Sequence, residues 1–94
     1  MSYEVEYHPE VKTKDLPEIP KNLQSRIRRA IEQRLVDDPV SAGKPLRQSL
    51  KGHRKTSVGD YRVIYRVDEV KSKIVVLIIG NRKEVYSKVF RRFV

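Results

Sequence analysis

Four side chains in this sequence have the chemistry to act on a phosphodiester: Lys55, Arg62, Arg82 and Tyr86. Arginine offers forked donors that match phosphate oxygens, and it keeps its charge. A lysine crowded by other cations is disfavoured in its protonated form, which moves it toward acting as a base. Tyrosine can stack on a nucleobase or donate from its hydroxyl. Such a set suits a phosphodiester better than a carbonyl or a metal. The stretch SVGDYRVIYRV, residues 57–67, poses the question directly. Tyr61, Val63, Tyr65 and Val67 alternate as the apolar face of a half-buried strand, while Arg62 and Arg66 flank Ile64 on the other face.

Bringing the four together depends on strand register. Gly59-Asp60 between two strand patterns is a two-residue hairpin signal, with Gly59 suited to the positive φ of a type II′ turn. Counting outward, Val58 faces Tyr61, Ser57 faces Arg62, Thr56 faces Val63 and Lys55 faces Ile64. Facing residues share a side of the sheet. Thr56, Val58, Tyr61 and Val63 are therefore assigned to the core side, and Lys55, Ser57, Arg62 and Ile64 to the other. A slip of one residue would invert the whole set. The next strand returns antiparallel, so Gly80-Asn81-Arg82 arrives beside the hairpin turn, and Arg82, Lys83 and Tyr86 emerge near Arg62. Lys55, Arg62, Arg82 and Tyr86 are thus expected on one patch away from the helices, with Ile64 as its floor. Periodicity alone leaves a second reading open, in which the strand arginines are merely solvated and Tyr86 packs at an edge.

The elements that must carry this patch follow from the rest of the chain. YEVEY at residues 3–7 alternates as a first strand, with Glu4 and Glu6 on its exposed face. Pro9 opens a short helical or turn segment through Val11 to Asp15, and the prolines of Pro17 to Pro20 break it. Pro20 suits the first position of a second helix, which the spacing of Leu23, Ile27, Ala30, Ile31 and Leu35 carries from Lys21 to about Val36. Asp37-Asp38-Pro39 stops it. Residues 40–52 read as a Gly/Pro/Ser-bearing connection. Strands are expected near 53–58, 61–68 and 73–80; the last is apolar on both parities, Ile74, Val76 and Ile78 against Val75, Leu77 and Ile79, as a strand covered on both sides should be. This order gives an α+β fold, β-α-α-β-β-β, with an antiparallel-rich sheet and two N-terminal helices stacked on one face.

Composition sets the bounds. The 94 residues suit one domain, 1–94, with one modest core and no room for a large cofactor cradle. The longest apolar run, IVVLII, is strand-sized, and the acidic alternating N-terminus does not read as a secretory signal. With no cysteine there are no disulfides and no thiolate zinc sites, and a cytoplasmic protein is expected. A net charge of +9 and a pI near 10.0 raise the local concentration of polyanions, pointing to nucleic acid or an acidic protein partner.

The stretch LKGHRKTSVGDYRVIYRV, followed by KIVVLIIGNRKEVY, resembles the RelE/StbE-type toxins of type II toxin–antitoxin systems, within the RelE/ParE superfamily. The preceding IRRAIEQRLVDDPVSAGKPLRQSLKG is similar to their second helix and connecting loop, so the likeness spans nearly the whole chain. The resemblance implies a ribosome-dependent endonuclease acting on mRNA, with no metal or other cofactor, no membrane association, and a cognate antitoxin that holds it inactive. Operator DNA would be reached only through the antitoxin complex. Cleavage in such toxins proceeds by attack of the RNA's own 2′-hydroxyl on the adjacent phosphate. Carried over residue by residue, Lys55 is the candidate base, Arg62 stabilises phosphate charge, Arg82 stabilises the leaving oxygen, and Tyr86 orients the nucleotide. Arg54, Ser57 and Lys83 join as RNA-binding residues.

One departure stands out. Relatives often carry a second basic residue two positions after the one matching Lys55, and here that position is Ser57. Either Arg54 enters the site by a small shift, against the register above, or the protein works with one cation fewer. Two rival functions therefore stay in view: a ParE-type toxin, which shares the fold but poisons DNA gyrase, and a catalytically weak module that binds an acidic antitoxin in autorepression. The remaining candidates read as surface or packing. His8 suits an exposed turn, and His53, at the start of a strand, could line the rim but is weak evidence for acid–base catalysis. Arg26, Arg28, Arg29 and Arg34 form a solvated helix stripe. The C-terminal SKVFRRFV is expected to form a short helix or strand packing Val89, Phe90 and Phe93, with Arg91 and Arg92 as exposed tail charge.

Overall fold

A computed structural model of the chain describes residues 2–47 and 50–93. Five strands form one sheet: β1 (Glu4–Tyr7), β2 (Lys44–Pro45), β3 (Arg54–Val58), β4 (Tyr61–Asp68) and β5 (Lys73–Asn81), in the order β1-β5-β4-β3-β2. β1 runs parallel to β5 and the other pairings are antiparallel. The α+β class read from the sequence is the observed one, with two additions. β2 pairs Lys44 with Lys55 and Pro45 with Arg54 inside the stretch expected to be loop. Pro45 on a two-residue edge strand masked it, since proline reads as a strand breaker but is tolerated at an edge.

The β3–β4 hairpin has the expected register. Val58 faces Tyr61, Ser57 faces Arg62, Thr56 faces Val63 and Lys55 faces Ile64. Gly59 takes φ of 59° while Asp60 is not in the positive region, the pattern a type II′ turn requires. The β4–β5 pairing continues it, with Arg62 facing Gly80 and Tyr61 facing Asn81. Ile64 faces Ile78, but Tyr65 faces Val76, so Leu77 is the extra residue of a β-bulge. The bulge overturns the simple alternation expected for β5. Ile74, Val76 and Ile79 all join the helix-covered core, whereas Ile78 turns to the opposite face.

That core lies under the N-terminal helical layer. A π-helical turn, Val11–Asp15, runs into a 3₁₀ turn, Leu16–Glu18, and α1 (Lys21–Ala30) continues through a π-helical turn, Ile31–Leu35. Pro20 is the cap preceding α1 rather than its first helical residue; its carbonyl accepts from Leu23 and Gln24 N–H. Val11, Ile27, Ile31 and Leu35 bury against Val63, Tyr65, Ile74 and Val76. Each such side chain removed from water is worth about 1.5–3 kcal/mol, so this layer holds most of the stabilising apolar burial.

The second addition is α2 (Val85–Phe93), which packs on the other side of the sheet. Val85 and Val89 meet Ile64, Ile78 and Leu50, with Leu46 and Tyr86 at the margin. Val89 packs as expected; Phe90, also expected to pack, is 44% exposed, and the expected packing of Phe93 lies outside the described side chains. Arg92 is not tail charge. Its Nη1 and Nη2 donate to the Asp15 carboxylate at 2.6 and 2.9 Å, and Nη1 also donates to the Leu77 carbonyl at 2.9 Å. Asp15 in turn accepts from Ile79 N–H at 3.0 Å, closing the part of β5 that β1 is too short to pair. Hydrogen bonding to Asp15 raises Arg92 further above its ordinary range.

Candidate phosphate-binding face

Reading across the sheet at one level, Lys44, Lys55, Ile64 and Ile78 stand opposite one another. The next level carries Ser57, Arg62 and Gly80. α2 seats on the isoleucine half of this face, where its Val85 Cα comes within 3.7 Å of where a side chain on Gly80 would begin. Ile64 is therefore not the floor of an open site, as expected from its place among cations, but is fully buried beneath α2. The uncovered half is a shelf of polar and cationic side chains beside the helix.

Lys55 lies at the boundary. Its Nζ is 5.4 Å from the centroid of the Tyr86 ring, a cation–π contact that fixes both groups at the helix edge. Tyr86 is half-buried against the small core below α2, so its ring is positioned by packing and its outer side stays accessible. Arg62 is anchored at the hairpin turn, where Nη1 donates to the carbonyls of Gly59 at 3.0 Å and Tyr61 at 3.1 Å. Among the described residues nothing engages its Nε or Nη2. Lys44, Lys55, Ser57 and Arg62 line a recess of about 320 Å³ together with Ala42, Gly43 and Thr56. No carboxylate lines it, and the ion pairs among the described residues involve Lys14, Lys73, Lys88 and Arg92 rather than these cations.

Arg82 sits at the end of β5, where its backbone N–H donates to the Asp60 carbonyl at 2.9 Å. This ties it to the hairpin turn, next to the strand position of Arg62, with its side chain exposed. Lys83 follows, exposed, with its backbone N–H held by Asn81 Oδ1 at 3.0 Å. Ser57 is exposed on the shelf, and Arg34 from the helical layer donates to its carbonyl at 3.2 Å. The other helix arginines, Arg26, Arg28 and Arg29, are solvated as expected.

Arg54 is not brought to this face. It is opposite Tyr65 in the register, and its Nη2 donates to the carbonyls of Val40 and, at 2.9 Å, Gly43. Beside it the buried Tyr65 hydroxyl donates to the Pro39 carbonyl at 2.7 Å. Burial pushes the Tyr65 hydroxyl above its ordinary pKa, with Arg54 opposing the shift. Arg54 and Tyr65 together hold the loop that leads into β2. Gly43 is required there because a Cβ would lie 2.1 Å from the Tyr65 hydroxyl and 2.6 Å from the Lys55 carbonyl.

Two features of this face do not follow from the sequence reading: Lys44, whose strand is two residues long, and the seating over Ile64 of the C-terminal segment, which was expected as a short helix or strand and is a helix begun two residues earlier. Val85 and Val89 at i, i+4 were a legible helical signal; the pairing of Lys44 had none. Among the described residues no group of three or more His, Asp or Glu side chains is placed to hold a metal ion. Among the described residues no helix is long and apolar enough to cross a membrane.

Comparison with known proteins converges on one group. A family model described as the ParE toxin of the type II toxin–antitoxin system parDE matches residues 5–86. Toxin RelG of Mycobacterium tuberculosis is 29% identical over 75 residues, covering 80% of this chain and 86% of that protein. Toxin RelE of the same organism is 30% identical over 73 residues, covering 78% and 75%. The crystal structure of the toxin–antitoxin complex RelBE2 from M. tuberculosis contains a chain that superimposes with a TM-score of 0.81 at 28% identity, over 87% of this chain and 100% of that one.

Proposed function

Because the chain belongs to the ParE toxin family of type II toxin–antitoxin systems, with RelE and RelG toxins among its relatives, we propose that it is an endoribonuclease that cleaves mRNA on the ribosome and is neutralised by a cognate antitoxin. The observation that carries this reading is the cationic shelf, where Lys55 and Arg62 border a recess with no carboxylate in its lining, beside an accessible aromatic ring.

The chemistry the shelf suits is transesterification. The 2′-hydroxyl oxygen of one nucleotide forms a bond to its own 3′-phosphorus, and the bond from that phosphorus to the 5′-oxygen of the next nucleotide breaks. The products are a 2′,3′-cyclic phosphate and a 5′-hydroxyl. Lys55 takes the 2′-hydroxyl proton as the general base. Arg62 donates to the phosphate oxygens as charge builds on them, from a guanidinium whose anchoring to the turn removes the need to reorganise. Arg82 stabilises the departing oxygen by charge, since an arginine is a poor formal proton donor, and solvent water supplies the proton that completes the 5′-hydroxyl. Tyr86 stacks on or hydrogen-bonds the nucleotide. Lys83, exposed beside Arg82, adds phosphate attraction, and Ser57 supplies a hydroxyl within the recess. The protein acts in the cytoplasm, where its substrate is translated, and reaches operator DNA only in complex with its antitoxin.

A second reading rests on the family description itself: a ParE-type toxin that poisons DNA gyrase. The order of damage separates them. In an actively translating extract, added protein should generate new transcript ends within coding regions before any DNA breaks appear. DNA breaks preceding new transcript ends would favour the gyrase reading and remove the nuclease one.

A further inference from the structure

β2 places a second lysine directly opposite Lys55. Facing residues of antiparallel strands share one side, with Cβ atoms about 4.5–5.5 Å apart, and like charges so placed destabilise a sheet. Lys44 and Lys55 are such a pair, on a strand only two residues long. Lys44 is exposed, has no ion-pair partner among the described residues, and lines the same recess as Lys55 and Arg62. The Gly43 contact with Tyr65 and the Arg54 bonds to the Val40 and Gly43 carbonyls hold the preceding loop, so this unfavourable pairing is built in by the fold rather than left to a mobile side chain.

We propose that Lys44 is a substrate-binding residue that grips a backbone phosphate of single-stranded RNA. Strand order fixes where: Lys44 on β2, Lys55 on β3 and Arg62 on β4 cross the sheet in sequence, so Lys55 lies between the other two. With the scissile phosphate at Arg62, Lys44 takes a neighbouring phosphate and sets the strand's direction across the shelf. An anion bridging Lys44 and Lys55 relieves the repulsion that the empty pair carries. This inference rests on the endoribonuclease reading above and adds a binding residue to it.

The test uses the purified full chain and a fluorescent single-stranded RNA oligonucleotide carrying 2′-O-methyl groups throughout, so that binding is read without cleavage. Anisotropy is followed across a salt series for the parent, Lys44→Gln and Lys44→Arg. Lys44→Gln should weaken binding and flatten the dependence of log K on log salt by about 0.7, the value for one single-strand phosphate contact. Lys44→Arg should restore both. Thermal midpoints should be unchanged or raised in Lys44→Gln, because a repulsion has been removed, whereas a merely structural lysine would lower them. An unaltered slope in Lys44→Gln, or a parent that does not bind the oligonucleotide, overturns the inference. So does an equal loss of binding to poly-glutamate, which marks an acidic-protein site instead. Transcript ends mapped in the translating extract with the same parent protein report on the nuclease reading separately, so either can fail without the other.

Discussion

One face of the sheet is closed by the helical layer from Val11 to Leu35, burying Val58, Val63, Tyr65, Ile74, Val76 and Ile79; the other is closed only over Ile64 and Ile78. The two faces share the same strands, so the difference comes from side-chain alternation and from what each helix covers. On the first face the central strands present mostly apolar side chains, with Thr56 a buried polar exception, and the layer above spans them. On the second, the row from Lys44 to Ile78 changes from cationic to aliphatic midway, and α2 stops at that change. A sheet in a chain this short can therefore be stabilised mainly from one side and leave half of the other open to present cations. The cations stand on rigid strand backbone, where register rather than loop conformation decides their spacing.

This comparison can be broken first at the clamp joining the two sides. Asp15 and Arg92 are both buried and connect the helical layer to α2 across the edge of β5. Asp15→Ala leaves a buried guanidinium with reduced compensation and should cost about 3–5 kcal/mol. Chemical denaturation measures it, and a loss below about 1 kcal/mol would show that the clamp is not a structural tie. Next in size is the asymmetry of burial. Ile31→Ala and Ile64→Ala should each cost about 2–5 kcal/mol, because both sites are fully buried. The prediction peculiar to this arrangement is that Ile64→Ala, under α2, also weakens the Lys55–Tyr86 contact and hence activity, whereas Ile31→Ala lowers stability alone. Equal activity losses per kcal/mol would erase the distinction between the faces. Smaller still is Gly43→Ala, where the new methyl must displace the Tyr65 hydroxyl; about 1–3 kcal/mol is expected. An unchanged thermal midpoint would show that the loop before β2 is not held against Tyr65.

Much of this geometry was legible in the residues. Gly59-Asp60 fixed the hairpin register, and from it the shared face of Lys55, Ser57, Arg62 and Ile64, because a two-residue turn leaves no slack for a slip. The end of β5 followed from the same count, bringing Arg82 back to the turn. What escaped has specific causes. The bulge at Leu77 is invisible in an all-aliphatic strand, since every residue there satisfies either parity. β2 was hidden by Pro45. The Asp15–Arg92 pair joins residues from opposite ends of the chain, with no local pattern to announce it. Ile64 is expected as an open floor because no local pattern tells which side of the sheet the C-terminal helix, with Val85 and Val89, will cover.

The central claim is that the uncovered half-face performs phosphodiester chemistry. The most direct measurement is the cleavage rate of a translated message with parent protein and Arg62→Ala, beside the thermal midpoint of each. Arg62 is only partly buried, so its removal should leave the midpoint within a few degrees while the rate falls about 100- to 1,000-fold, the usual effect of deleting one donor to a developing oxyanion. A correctly folded Arg62→Ala protein that cleaves as fast as the parent would contradict the account.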